Sequence, residues 1–116
     1  MKTPTDPAPS SFLPLTPAAF HVLVALAGGE LHGYAILKEV EGRTGGAVRL
    51  STGTLYGLVQ RFLEAGLIAE AGADERRRSY RLTRLGRQVA SAEAERLETL
   101  VEAARAQRLL PRRRPV

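Results

Sequence analysis

Residues 51–68 (STGTLYGLVQRFLEAGLI) carry the strongest local instruction in this chain. Leu55, Leu58, Val59, Phe62 and Leu63 recur at i, i+3, i+4, i+7 and i+8, along one face of a helical period. Ser51 stands where an N-cap hydroxyl accepts an orphan amide. Gly66 stands where a helix ends in positive φ, and Leu67 after it can fold back on Phe62. Such a helix buries one side only. Its other side carries Thr52, Thr54, Tyr56, Gln60 and Arg61, with Glu64 near the end. These hydroxyls, the phenol, the amide and the guanidinium can hydrogen-bond phosphates and base edges. An ordinary surface helix looks the same in isolation, so the neighbouring segments decide.

Residues 1–14 are rich in Pro, Ser and Thr and are expected to be disordered or loosely docked, with Phe12 and Leu13 able to pack. Thr16 can cap a first helix with Pro17 at its first position. Phe20, Leu23, Val24 and Ala27 share a face, and Gly28-Gly29 stops the helix. Leu31-His32-Gly33 reads as a tight connection into a second helix, about 34–43, with Tyr34, Leu37 and Val40 as its buried stripe. Residues 42–46 end it, and Val48-Arg49-Leu50 reads as a short strand. After Gly66, residues 67–71 and 76–82 read as two strands about a turn at 72–75. Thr83 then caps a long helix from Arg84 to about Leu109, ended by Pro111. At about 1.5 Å per residue this is a rod of roughly 40 Å, longer than so small a domain needs.

Helix, helix, short strand, helix, hairpin and long helix is the order of a winged helix-turn-helix unit. The fold class expected is mainly α with a small β-hairpin, followed by one C-terminal dimerisation helix. The expected organisation is a lead-in at 1–14, a winged-helix domain at 15–83, a helix at 84–110 and a basic tail at 111–116. A chain of 116 residues holds one such domain, and 44% apolar residues suffice for a core.

Charge placement agrees. Residues 1–69 hold five basic and five acidic side chains, whereas residues 70–116 hold twelve basic and seven acidic. The whole excess of +5 lies in the second part, which favours a polyanionic partner. There is no Cys, so disulfides and thiolate chemistry are excluded. The apolar run at residues 18–27 lacks a basic leader and is too short to span a bilayer, so the expected location is the cytoplasm, with no membrane partner.

In a winged-helix unit the 51–68 helix would enter the major groove. Ser51, Thr52, Thr54, Tyr56 and Gln60 are the candidates for contact near the bases, and Arg61 suits a phosphate. Tyr56 has a second reading, as a packed aromatic with its hydroxyl at the rim. Arg76, Arg77 and Arg78 in the hairpin can reach a neighbouring backbone or minor groove. On the long helix, Leu85, Val89, Ala92, Leu97, Leu100, Val101 and Ala104 form a thin apolar stripe that a second copy would cover. Two copies would set their helices about 34–36 Å apart, in successive major grooves. Arg112-Arg113-Arg114 is a basic end with non-specific attraction for a polyanion. His21 is read as structural, and His32 either touches a phosphate or shapes its turn. No metal-ligand spacing, paired carboxylates or phosphate loop stands out, so neither an enzyme nor a cofactor is expected.

These residues together resemble the PadR family of bacterial transcriptional regulators. The resemblance rests on Leu31-His32-Gly33-Tyr34-Ala35-Ile36, Ser51-Thr52-Gly53-Thr54-Leu55-Tyr56, Arg61 with Gly66-Leu67-Ile68, and Arg77-Arg78-Ser79-Tyr80-Arg81-Leu82-Thr83 followed by Gly86-Arg87. It implies a winged-helix homodimer that represses promoters, often in response to a small hydrophobic or aromatic compound. It also implies that Tyr56 approaches DNA and that the helix after Thr83 dimerises. Gly57 stands where the family often has Pro or a larger residue, and Leu63 where an acid is common. The alternative from another class is a winged-helix protein-interaction module without DNA binding.

Overall fold

The computed structural model describes residues 7–73 and 77–111. A 3₁₀ turn at Pro9–Phe12 precedes α1 (Pro17–Ala27), β1 (Leu31–His32), α2 (Gly33–Arg43) and α3 (Thr52–Ala65). Then come β2 (Ile68–Ala73), β3 (Arg78–Leu82) and α4 (Arg84–Ala106). The strands form one antiparallel sheet in the order β1-β3-β2. The fold class is the one expected, mainly helical with a small sheet and a long last helix, but the short strand precedes α2 instead of α3.

Local chemistry starts and stops the helices. Thr16 Oγ1 accepts from the Ala19 amide at 3.1 Å, Ser51 Oγ from Thr54 at 3.0 Å and Thr83 Oγ1 from Gly86 at 3.0 Å. α3 ends on Gly66 at φ 78°, with the Leu67 amide donating to the Phe62 carbonyl at 2.9 Å. The Thr83 amide then donates to Leu67 O at 3.0 Å, tying the end of α3 to the start of α4. Gly86 lies against that junction. A Cβ there would collide with the Leu67 carbonyl and stand 2.9 Å from Leu82 Cδ1.

The core joins Val22, Leu23 and Leu26 of α1, Ile36 and Val40 of α2, and Leu55, Leu58, Val59 and Phe62 of α3 to Leu67, Ile68, Tyr80 and Val89. Several sequence expectations shift here. α1 buries Ala19, Val22, Leu23, Ala25 and Leu26 rather than the Phe20–Val24–Ala27 face. Apolar residues surround most of this helix, so its neighbours choose the buried arc. α2 turns Gly33, Ile36 and Val40 inward, and Tyr34 is 65% exposed instead of part of the stripe. Residues 48–50 form no strand. Thr44 Oγ1 accepts the Val48 amide at 3.0 Å, and the free edge of β3 is taken by Leu31 and His32, opposite Tyr80 and Ser79. α4 ends at Ala106, before Leu109. Arg108 takes φ 60° and the Leu109 amide donates to Ala104 O at 2.9 Å.

The lead-in is more ordered than its composition suggests, because the 3₁₀ turn packs against α4. Residues 1–6 lie outside the described residues, as do Arg76 and the Arg112-Arg113-Arg114 tail. The docking is secured by Glu93, which is 1% exposed. Glu93 Oε2 accepts the Leu15 amide at 3.2 Å, and the carboxylate takes Arg96 Nε and Nη2 at 2.6 and 2.9 Å. The Arg96 guanidinium holds the Glu93 carboxyl below the usual carboxylate range, overcoming the opposite effect of burial and aided by the Leu15 amide. A depressed acid stabilises the fold above its unfolded pKa, and that contribution is lost as pH falls through the folded value. Glu93→Gln should therefore cost about 1.5–3 kcal/mol at neutral pH. The difference from wild type should narrow in acid, below the ordinary carboxylate range, as thermal unfolding across pH would record.

Candidate nucleic-acid interface

α3 presents Ser51, Thr52, Thr54, Tyr56, Gln60 and Arg61 to solvent, interleaved with the buried Leu55, Leu58, Val59 and Phe62. The polar face expected from the sequence is thus continuous. Its members are unequal. Ser51 Oγ accepts the Thr54 amide and donates to Thr54 Oγ1 at 3.0 Å, so Ser51 is engaged in capping. Arg61 Nε donates to the Gly57 carbonyl at 3.4 Å, from an exposed guanidinium further along the helix. Gln60 is exposed one turn beyond Tyr56.

Tyr56 is 49% exposed, and its ring lies against Gly33. A Cβ on Gly33 would stand 2.9 Å from Tyr56 Cζ. The Tyr56 ring can lie this close to the start of α2 because residue 33 has no side chain.

Between these elements and the hairpin lies a cleft of about 530 Å³. Tyr34, Tyr56 and Tyr80 line it, with His32, Gly33, Ala35, Arg77 and Arg78. Burial pushes the Tyr80 phenol above its ordinary pKa, and the neighbouring Tyr56 and Glu70 push the same way. The cleft therefore holds a neutral Tyr80 phenol beside the Arg77 and Arg78 guanidiniums. Arg78 Nη1 meets Glu70 Oε1 at 3.1 Å across the hairpin, but both side chains are well exposed, so the pair adds little stability. Arg77, Arg78 and the N-terminal half of α3 are brought to one side of the molecule. Arg76 lies outside the described residues.

Two residues line the cleft that the sequence does not place beside the hairpin. Tyr34, expected in the buried stripe, is exposed, with Lys38 Nζ 5.4 Å from its ring centre. His32, expected to shape a turn or touch a phosphate, lines the cleft from β1. Their clustering with Gly33 in one tripeptide was the available signal. Among the described residues no group of three or more metal-ligating side chains occurs, and no helix is long and apolar enough to cross a membrane.

The stripe on α4 divides. Val89 is fully buried in its own domain's core and Leu85 packs against that core, so Val89 is not available to a partner. The first turns of α4 lie over α1 and β3, which is why the expectation fails there. Ala92 is half-buried. Further along, Leu97 and Ala104 are half-buried, and Leu100 and Val101 are 54% and 39% exposed. These last four occupy i, i+3, i+4 and i+7, a single face.

The sequence profile of the Transcriptional regulator PadR-like family matches residues 22–92. An uncharacterized 37.1 kDa protein in transposon TN4556 of Streptomyces fradiae is 41% identical over 73 residues, 63% of this chain and 21% of that protein. The chain thus spans about a fifth of that relative's length. A transcriptional regulator from Clostridium thermocellum superposes with a TM-score of 0.68 at 23% identity, over 80% of this chain and 97% of that one. Bacillus subtilis PadR, solved in complex with operator DNA, superposes with a TM-score of 0.58 at 20% identity, over 89% of this chain and 51% of that one. These two structures share the fold. The profile covers more than half of the sequence, from within α1 into α4, and the chain belongs to the PadR-like family of transcriptional regulators.

Proposed function

We propose that the protein is a sequence-specific DNA-binding regulator that acts as a homodimer on a palindromic operator and represses transcription. One observation carries this reading: Tyr56 at the start of α3 and Arg77 and Arg78 of the hairpin line a single cleft. A helix face and a basic hairpin on one side of a trihelical unit can meet a major groove and its flanking backbone together. The family supports the reading, as does the operator complex of the structurally similar Bacillus subtilis PadR. Leu97, Leu100, Val101 and Ala104 are assigned to the contact between copies. A small hydrophobic or aromatic effector that relieves repression belongs to the reading on the strength of the family alone.

Within this reading the roles divide by chemistry. Gln60 reads a base edge, as do Thr52 and Thr54 nearer the start of the helix, whereas Arg61, Arg77 and Arg78 meet phosphates. Gln60→Ala should change the ranking of operator variants, by about 1–3 kcal/mol at one base pair. Arg77→Ala should weaken all duplexes alike and reduce the salt slope by about 1. A salt titration of duplex binding tests the whole reading. Affinity should fall linearly on logarithmic axes. Affinity that ignores salt, or no duplex binding at low salt, removes DNA as the partner and leaves a protein-interaction module.

A further inference from the structure

We propose that His32 is a positioning residue that sets the wing, the β2–β3 hairpin, against the trihelical unit, so that Arg77 and Arg78 are held where phosphates can be met. The inference rests on the DNA-binding reading. His32 ends β1 and immediately precedes α2, but its side chain does not cap that helix. Its Nδ1 lies instead 3.0 Å from Ser79 Oγ, and the tautomer decides which of the two donates. Ser79 is a buried polar residue of β3 and stands directly opposite His32 in register.

The same Ser79 marks where the hairpin bends. β2 pairs Glu70 with Tyr80 and Gly72 with Ser79, so a residue is skipped and the ribbon is bulged at this level. Bulges increase local twist and re-aim the strand beyond them. β1 also ends here, since its pairing covers only Leu31 and His32. Past Ser79 the hairpin continues as a two-stranded ribbon, with Ala73 opposite Arg78 and Arg77 next. The His32–Ser79 contact is therefore a side-chain tie to the body at the level where the ribbon leaves it. The Arg78–Glu70 pair cannot do this, because both residues belong to the ribbon. Beside the β1–β3 pairing, this tie narrows the motion of the ribbon beyond it, and motion that must be lost on binding costs affinity.

The test measures affinity over a series of salt concentrations for wild type, His32→Ala, His32→Asn, the double variant R77A/R78A and the triple variant H32A/R77A/R78A. The probe is the tightest duplex recovered from a random pool. His32→Ala should bind about three- to ten-fold more weakly, the scale of one lost hydrogen bond. Its salt slope should fall towards that of the double variant. His32→Asn can place a polar atom near the position of Nδ1 and should recover affinity to within about two-fold. The triple variant should bind no more weakly than the double, because the tie acts only through the wing arginines. A triple variant weaker than the double by the full His32→Ala factor would overturn the proposal. So would an alanine variant with wild-type slope and affinity. Amide exchange in free protein reads the tie without DNA: His32→Ala should speed exchange at residues 70–72 and 77–79 and leave α3 unchanged. Unaltered exchange in the wing would overturn the tie itself, whereas absence of wild-type duplex binding would count against the DNA reading alone.

Discussion

Gly86→Ala should destabilise the fold by about 3 kcal/mol or more, although alanine is the better helix former. In an open helix position the same change is worth about 0.5–1 kcal/mol in the opposite direction. Here the added methyl meets the Leu67 carbonyl, a backbone atom held by the Thr83 amide at 3.0 Å. Neither side can move without breaking the α3–α4 junction, so overpacking is not relieved by a rotamer change. For a domain of this size the expected drop in melting temperature is about 12–20 °C. Gly57 supplies the matched control. It lies within α3, with nothing within 4 Å of an added Cβ, and Gly57→Ala should raise stability by about 0.5–1 kcal/mol. Thermal unfolding of the two variants side by side should show shifts of opposite sign. A neutral Gly86→Ala would mean that the junction is looser than its geometry.

The second large effect concerns α4. The double variant L100D/V101D should fold as wild type does, because both side chains are exposed in the single chain. It should sediment as a monomer, and its operator affinity should fall by about 10²–10⁴-fold, the factor lost when two linked half-site contacts become independent. Val89 makes the contrast. It is fully buried in its own domain, so Val89→Ala should lower stability by about 1–3 kcal/mol and leave the association constant of the folded protein unchanged. Wild-type sedimentation as a monomer would remove the two-fold operator model.

What was legible in the sequence was local. Thr16, Ser51, Thr83 and Gly66 mark helix ends through their own hydrogen bonds and φ values, and each does so in the structure. The alternating residues after Gly66 announce the hairpin for the same reason. What stayed hidden depends on distant partners. β1 is only two residues long and is a strand solely because β3, far along the chain, lies beside it. The inward arc of α1 is chosen by the elements around it, and Tyr34 is turned out because Gly33, Ile36 and Val40 take the interior. The sequence shows one apolar stripe on α4, and only tertiary packing reveals that its start belongs to the core. Glu93 is buried because Leu15 and Arg96 come to it, and Leu15 lies far away in the sequence. At the interface the polar face of α3 was legible residue by residue. The contact between Tyr56 and Gly33 and the place of His32 beside the wing required the fold.

A homodimer that reads a duplex through α3 and the wing requires a site with two-fold symmetry. Selection of bound duplexes from a random pool tests this most directly. The recovered site should consist of inverted half-sites about 10–10.5 base pairs apart, centre to centre, or a multiple of that spacing. Recovery of a single unrepeated half-site, or of no preferred sequence at all, would contradict the two-fold operator model.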